Sequence, residues 1–170
     1  MEEYEAARLA AGKHLKIADH MLTQTYKLVR DPKILLAVAE NLYKSVSASI
    51  DAILSWERLY KRIPPYPSNP ESKIQLFAAR SIRRYGFPDS YAKLAQRLHE
   101  VIERHRKAPV EFSRKKTFVI CDDDYDIKAL TEDELKVMLV TAFDLATAMQ
   151  HMVTRNERVL RKRDGRVQTR

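Results

Sequence analysis

Apolar side chains recur at steps of three and four residues along most of the chain, which is the spacing of helices that bury one face. The second segment shows it best, with a stripe formed by Leu35, Val38, Leu42, Val46, Ile50, Ile53 and Trp56. The pattern predicts helices over about residues 3–30, 32–63, 70–85, 90–107 and 132–163. We therefore expect an all-α fold, an antiparallel bundle of about five helices.

Local signals mark the ends of these helices. Asp31-Pro32 and Asn69-Pro70 each place an N-cap acceptor before a proline at the first helical position. A capping box starts at Thr131, and Gly86 suits the left-handed residue that ends a helix. The stops of the second and last helices are expected at two short sequences, Ile63-Pro64 and Asp164-Gly165.

One stretch, near residues 112–130, breaks the helical spacing. It reads as a strand, an acidic turn and a second strand, at residues 117–121, 122–124 and 125–127. Because side chains alternate along a strand, Phe118 and Ile120 should face the bundle and Val119 should face away. The pattern predicts a small β-hairpin that leans on the helices, since two strands alone are only marginally stable.

Length and composition describe one domain. The 170 residues can bury an apolar core without disulfides, and the single cysteine, Cys121, favours a reducing compartment and a cytoplasmic location. Few glycines and 32% charged residues are typical of a helical protein from a warm-growing organism. The N-terminus has no signal-peptide pattern and no run reaches roughly 18 apolar residues, so no membrane partner is expected. We expect a helical-bundle domain over residues 1–163 and a flexible basic extension over 164–170.

The net charge of +8 is unevenly distributed. Residues 61–120 contain 14 Lys and Arg against 5 Asp and Glu, and residues 155–170 contain 7 against 2. Basic clusters bind polyanions by releasing counterions, whereas cations at helix C-termini also complement the helix dipole without any ligand. The first interpretation predicts nucleic-acid-binding residues at Arg80, Arg83, Arg84, Arg104, Arg106, Lys107, Arg114, Lys115, Lys116, Arg155, Arg158, Arg161, Lys162 and Arg163.

The stretch from Leu35 to Ser45, with Ala48–Leu54 following, resembles a paired helix of the HEPN-like bundles of archaea and bacteria. The order of long and short helices over the first 105 residues is similar in style. Several members of that family are dimeric ribonucleases or toxin partners. Their ribonuclease signature is an Arg followed four to six residues later by a His, usually late in the domain. Here Arg8 and His14 match that spacing, on the first helix, and the resemblance makes them candidate catalytic residues.

Two further sets of residues could carry chemistry. His99 and Glu103 lie four positions apart on one helix face, as an acid–base or metal-ligand pair would; a surface charge pair is the alternative. Asp122, Asp124 and Asp126 have the spacing of a calcium loop without its glycine, which favours an acidic turn at a helix start and leaves a Mg²⁺ site as the alternative. No other cofactor is predicted.

Without a catalytic motif, the sequence favours a non-enzymatic interaction module that binds nucleic acid or an acidic partner protein through its basic regions. The alternative is a HEPN-like ribonuclease or a metal-dependent nuclease. A homodimer is also expected, because the end of the second helix offers more apolar surface than one subunit is expected to cover. The side chains in question are Trp56, Leu59, Tyr60, Ile63 and Tyr66.

Overall fold

The computed structural model describes residues 1–107, 110–114, 117–121 and 127–167, which form five helices and three strands. Helix α1 begins with Glu3–His20, continues through the π-helical segment Met21–Thr25 and ends with the turn Tyr26–Val29. Helix α2 is Lys33–Leu59. Helix α3 begins with Pro70–Leu76, continues through the π-helical segment Phe77–Ser81 and ends with Ile82–Tyr85. Helix α4 is Ser90–Lys107, and helix α5 is Glu132–Val167. Strands β1, β2 and β3 are Val110–Arg114, Thr117–Cys121 and Ile127–Thr131. The predicted all-α bundle with a small β element is confirmed.

Most of the predicted helix boundaries follow from local hydrogen bonds. Backbone amides of the first turns donate to Asp31 Oδ1 at 2.9 Å, to Asn69 Oδ1 at 2.8 Å and to Thr131 Oγ1 at 3.2 Å. Gly86 ends α3 with a φ of 65°, a left-handed conformation that costs glycine little. The predicted starts of α3 and α5 and the predicted end of α3 are confirmed, and α2 begins at Lys33, one residue after the predicted start at Pro32.

Helix α2 ends at Leu59, before the predicted stop at Ile63-Pro64. Lys61 adopts a φ of 53°, and the amide of Arg62 donates to the carbonyl of Glu57 at 2.8 Å. The chain therefore leaves the helix through a left-handed turn. Ile63 is still only 6% exposed, because the turn returns it to the core. The apolar spacing continues past the helix, and the predicted end was wrong for that reason.

The β element is a three-stranded antiparallel sheet in the order β1-β2-β3, where the sequence predicted a two-stranded hairpin. Val119 of β2 pairs with Phe112 of β1 on one side and with Ala129 of β3 on the other. Strand β1 was missed because its pattern is short and its pairing with β2 decides its conformation. Phe118 and Ile120 are buried in the core, as predicted, but Val119 is also buried.

The core lies between α1, α2 and α5, with α2 at its centre. A stripe of α2 side chains is almost fully buried, including Leu35, Val38, Leu42, Ile53 and Trp56. Small residues let α1 approach α2 closely, and the buried Ser45 hydroxyl donates to the carbonyl of Ala11 at 2.9 Å. Serines in the apolar stripe therefore have a packing role.

The antiparallel helices define two ends of the bundle. At the first, which we call the Trp56 end, the rings of Tyr4 and Trp56 lie 6.1 Å apart and the Tyr4 hydroxyl donates to Glu157 at 2.9 Å. At the second, the sheet end, His105 near the end of α4 lies 3.6 Å from Glu40 of α2. Glu40 and Trp56 are sixteen residues apart on one helix, so the two ends are separated by about 24 Å.

Helix α5 continues to Val167, past the predicted stop at Asp164-Gly165. One glycine costs a helix only about 1 kcal/mol relative to alanine, and the surrounding Arg and Lys residues are good helix formers. The contact between Tyr4 and Glu157 places Glu157 level with the start of α1. The ten residues from Glu157 to Val167 therefore extend about 15 Å beyond that level. Leu160, within this part, still packs against the core. Residues 168–170 of the predicted flexible extension lie outside the described residues.

Within the described residues, one helical stretch, Glu132–Leu160 of α5, is long and apolar enough to cross a membrane by length and composition. In its most apolar window, 44% of the residues are buried within the fold. Five of the core side chains it contributes are Leu135, Leu139, Leu145, Met149 and Val153. A core helix passes the same test, so this property alone does not assign α5 to a membrane.

Candidate nucleic-acid interface

The predicted basic residues lie at opposite ends of the bundle. Arg84 Nη1 lies 2.6 Å from Oε1 of Glu57, which is next to Trp56 in α2. The end of α4, with Arg106 and Lys107, lies at the sheet end instead, where His105 meets Glu40. With about 24 Å between the two ends, the clusters of α3 and α4 do not form one surface.

The sheet-end cluster is partly neutralised. Glu103 accepts contacts from Arg106 at 3.1 Å and from Lys107 at 3.7 Å, within the same helix. Arg104 is only partly exposed. Cations in the last turn of a helix complement its dipole, which accounts for these residues without a ligand. The side chain of Arg114 and both Lys115 and Lys116 lie outside the described residues.

At the Trp56 end, Arg84 is part of the core structure. Glu57 is fully buried, and its carboxylate accepts a hydrogen bond from Ser81 at 2.7 Å as well as from Arg84 at 2.6 Å. A buried carboxylate needs such partners, so the Arg84 guanidinium is used to neutralise Glu57 rather than to bind a ligand. Arg80 and Arg83 are exposed and form no ion pair with any described residue. They remain available to a ligand.

An open groove of about 480 Å³ runs between the turn after α3 and the C-terminal half of α5. We call it the basic groove. Its lining residues are Tyr85, Phe87, Ala148, His151, Met152, Arg155, Asn156 and Val159. It continues into a second open depression of about 620 Å³ that includes Arg158. The basic cluster of α5 therefore lies beside the aromatic turn that follows α3, whereas Arg80, Arg83 and Arg84 of α3 are not among the lining residues.

The aromatic wall of the basic groove is formed by rings that contact one another. The rings of Tyr85 and Phe87 lie 5.4 Å apart, and Phe87 lies 5.7 Å from Tyr91, which is buried. Burial raises the pKa of the Tyr85 phenol above its usual value, and the nearby Glu57 carboxylate adds to this effect, so the hydroxyl stays protonated. Arg62 lies 3.5 Å from that hydroxyl.

Sequence reasoning identified Arg155 and Arg158 but not Tyr85, Phe87 or His151. The sequence feature that could have identified the two aromatic residues is their position on either side of Gly86, directly after the arginines of a basic helix. Nothing in the sequence indicates that this turn lies beside α5. Among the other tail residues, Lys162 is exposed, and the side chains of Arg161 and Arg163 lie outside the described residues.

Arg8 and His14, the residues at the HEPN-like spacing, serve different parts of the fold. The Arg8 guanidinium donates to Gln150 of α5 at 2.8 Å and lies 3.9 Å from Glu157. The His14 ring instead contacts Asn41 of α2 at 3.1 Å. Six residues along a helix correspond to about 9 Å along the axis and an angular offset of about a third of a turn. The two side chains therefore do not form a catalytic pair within this chain.

Tyr43 contacts His99 and lines one pocket together with His14. A pocket of about 330 Å³ between α1, α2 and α3, the Tyr43 pocket, is lined by His14, Tyr43, Lys44, Ser47, Asp51 and Lys73 among others. His99 Nδ1 lies 3.3 Å from the Tyr43 hydroxyl, and its Nε2 lies 3.6 Å from Glu71. Glu103, the predicted partner of His99, pairs with Arg106 and Lys107 instead.

The hydrogen bonds of Asn41 assign the tautomer of His14. The Asn41 amide nitrogen donates to the carbonyl of Ala37 at 2.9 Å, so its oxygen is the atom that faces His14 Nδ1 at 3.1 Å. An oxygen acceptor requires a proton on Nδ1. In the neutral ring, Nε2 then carries the lone pair, which is the form of a general base.

The predicted metal ligands Asp122, Asp124 and Asp126 lie outside the described residues. Within the parts of the chain that are described, no group of three or more His, Cys, Asp or Glu side chains could hold a metal ion.

Comparisons with protein-family models, with curated proteins and with solved structures found no match to this chain. The HEPN-like resemblance therefore stays a prediction.

Proposed function

We propose that the protein is a non-enzymatic module that binds single-stranded nucleic acid in the basic groove. One observation carries the proposal: Tyr85 and Phe87 lie in the same groove as Arg155, with Arg158 in the adjoining depression. Aromatic faces stack on unpaired bases while arginines contact the phosphates between them. An acidic protein would use the cations but would gain little from the aromatic wall, so this combination favours nucleic acid.

The available cations set the expected strength of the salt dependence. Arg80, Arg83, Arg155 and Arg158 are exposed and form no ion pair with the described residues. Each phosphate contact lowers the slope of log K against log salt by about 0.7 for a single strand. We therefore expect these four cations to contribute between about −2 and −3 to the slope, to which any contact made by residues 161–170 adds.

The test compares two double variants that remove the same charge. Arg155→Ala with Arg158→Ala removes two groove cations, and Lys13→Ala with Lys16→Ala removes two exposed cations of α1. Binding of a fluorescent single-stranded RNA is measured by anisotropy at several salt concentrations. The groove variant should bind about 25-fold more weakly at 0.1 M salt, with a slope shallower by about 1.4.

The control variant should bind RNA nearly as well as wild type. Equal losses in both variants would mean that only net charge matters, and the groove proposal would then be wrong. A matched DNA strand and a duplex distinguish the ligand classes: stacking on Tyr85 and Phe87 predicts that the duplex binds more weakly than either single strand.

Phosphodiester hydrolysis is a second candidate function, and the Tyr43 pocket favours it. The pocket is lined by His14, whose Nε2 carries the lone pair in the neutral ring, and by Tyr43, whose hydroxyl contacts the ring of His99. Phosphodiester cleavage needs a base and an acid within reach of the same phosphate. Wild-type protein is incubated with RNA alongside His14→Ala and Tyr43→Phe. Cleavage that either substitution abolishes would support this function, and cleavage that survives both would exclude the pocket as its source.

A further inference from the structure

Helix α5 has two apolar faces. The inner face packs into the core, with Leu135, Leu139 and Leu145 among its buried residues. The outer face exposes Val137 by 68%, Val140 by 62% and Phe143 by 41%. These three side chains recur at three-residue steps and lie on one side of the helix. The high hydropathy of α5 thus arises from a second apolar stripe as well as from the core.

The charges on either side of this stripe are placed symmetrically. Lys136 and Asp144 each lie four residues from Val140, one before it and one after it. Lys136 contacts Glu132 of its own helix at 2.8 Å, and Asp144 pairs with no cation among the described residues. Arg30, at the end of α1, is close enough to Lys136 to act on its charge, so this end of the stripe combines two cations with the carboxylates of Glu132 and Asp133.

We propose that the outer face of α5 is a homodimer interface in which two copies pack this helix antiparallel around a twofold axis at Val140. In that register, each residue before Val140 faces the residue equally far after it in the other copy. Lys136 then faces Asp144 of the partner subunit, and Val137 faces Phe143 of the partner subunit. By symmetry, the ion pair and the apolar contact each occur twice.

A second copy fits this face better than other occupants do. A lipid bilayer would have to accept Asp133, Lys136 and Asp144, which are exposed on the same side of the helix. An antiparallel copy of α5 presents Asp144 to Lys136 and Lys136 to Asp144, so it offers an opposite charge at both positions.

This interface differs from the one expected from the sequence. At the end of α2, Trp56 and Ile63 are 1% and 6% exposed because the chain itself covers them, whereas Leu59 and Tyr60 are exposed by 47% and 40%. That surface was expected to be open because the sequence does not show how the turn after α2 folds back.

Charge reversal tests the register. Lys136→Glu and Asp144→Lys each place like charges opposite one another at two points of the interface, while the double variant restores attraction with the signs exchanged. Both positions are exposed, so the variants should fold, which circular dichroism checks. Each single variant should dimerise roughly tenfold or more weakly than wild type, and the double variant should recover most of the loss. Lys16→Glu on the exposed face of α1 is the control and should change nothing.

Sedimentation equilibrium from micromolar to several hundred micromolar protein provides the measurement. A wild-type chain that stays monomeric over this range contradicts the proposal. A dimer that neither single reversal weakens contradicts the assignment to this face, and a loss that the double variant does not restore contradicts the antiparallel register. Val140→Asp places a charge at the axis and should abolish the dimer. Co-sedimentation of wild-type monomer with neutral phospholipid vesicles would indicate a lipid surface instead and would overturn the proposal.

Discussion

Replacing Arg84 with methionine removes the cation that neutralises a carboxylate in the core. Glu57 is fully buried and is held by Arg84 Nη1 at 2.6 Å and by the Ser81 hydroxyl at 2.7 Å. The variant keeps much of the side-chain volume but leaves the charge of Glu57 with one neutral partner. A second substitution, Glu57→Gln, removes that charge and keeps an oxygen that can accept from Ser81.

The structure sets the expected magnitude. Removing one partner of a buried ion pair costs about 3–5 kcal/mol, because the other charge stays desolvated. The Arg84 side chain is 34% exposed, so water can reach this side of Glu57 after the substitution. We therefore expect Arg84→Met to lower the free energy of unfolding by about 2–3 kcal/mol. The double variant Arg84→Met with Glu57→Gln should be more stable than Arg84→Met alone, since no unpaired charge remains buried.

Urea unfolding followed by tryptophan fluorescence measures these differences, because the single tryptophan, Trp56, is buried next to Glu57. Arg83→Met is the matched control: Arg83 is exposed and pairs with no described residue, so its loss should cost less than about 0.5 kcal/mol. If Arg83→Met and Arg84→Met lose equal stability, or if Glu57→Gln fails to rescue Arg84→Met, the buried pair is not what holds α3 against α2.

Three further predictions concern the capping, titration and tail of the chain. Thr131→Ala removes the oxygen that caps α5 and should lower the free energy of unfolding by about 1 kcal/mol in the same urea titration. Burial and the carboxylate of Glu157 raise the pKa of Tyr4 to about 12. An unfolded tyrosine ionises near 10, so stability should fall as the pH rises from about 10 to 12, and Tyr4→Phe should lose less over that range. A chain truncated after Leu160 should keep its urea midpoint, since Leu160 packs against the core, but should bind RNA with a shallower salt slope. An unchanged slope would assign the tail no part in binding.

Features that depend on a few neighbouring residues could be predicted from the sequence. The caps at Asp31, Asn69 and Thr131 and the left-handed Gly86 are examples, because each depends on hydrogen bonds or backbone angles within one turn. Phe118 and Ile120 were placed correctly for the same reason, since strand alternation is local.

Features that depend on which helices meet could not be predicted. The spacing of Arg8 and His14 suggested a catalytic pair, but Arg8 contacts α5 and His14 contacts α2. Glu57 lies among apolar residues with no sequence signal for the arginine that faces it from α3. The basic groove likewise forms because the turn around Gly86 packs beside α5, and this contact exists only in the folded chain.

Photocrosslinking tests the central claim most directly. A single-stranded RNA that carries 4-thiouridine is irradiated on the wild-type protein, and the crosslinked tryptic peptides are identified by mass spectrometry. Tyr85 and Phe87 fall in one peptide, 85–93, since cleavage occurs after Arg84 and Lys93. The account predicts that this peptide is the main site of crosslinking and that Arg155→Ala with Arg158→Ala suppresses it. Crosslinks confined to the sheet end, within residues 104–121, or spread evenly over all basic peptides would contradict binding in the basic groove.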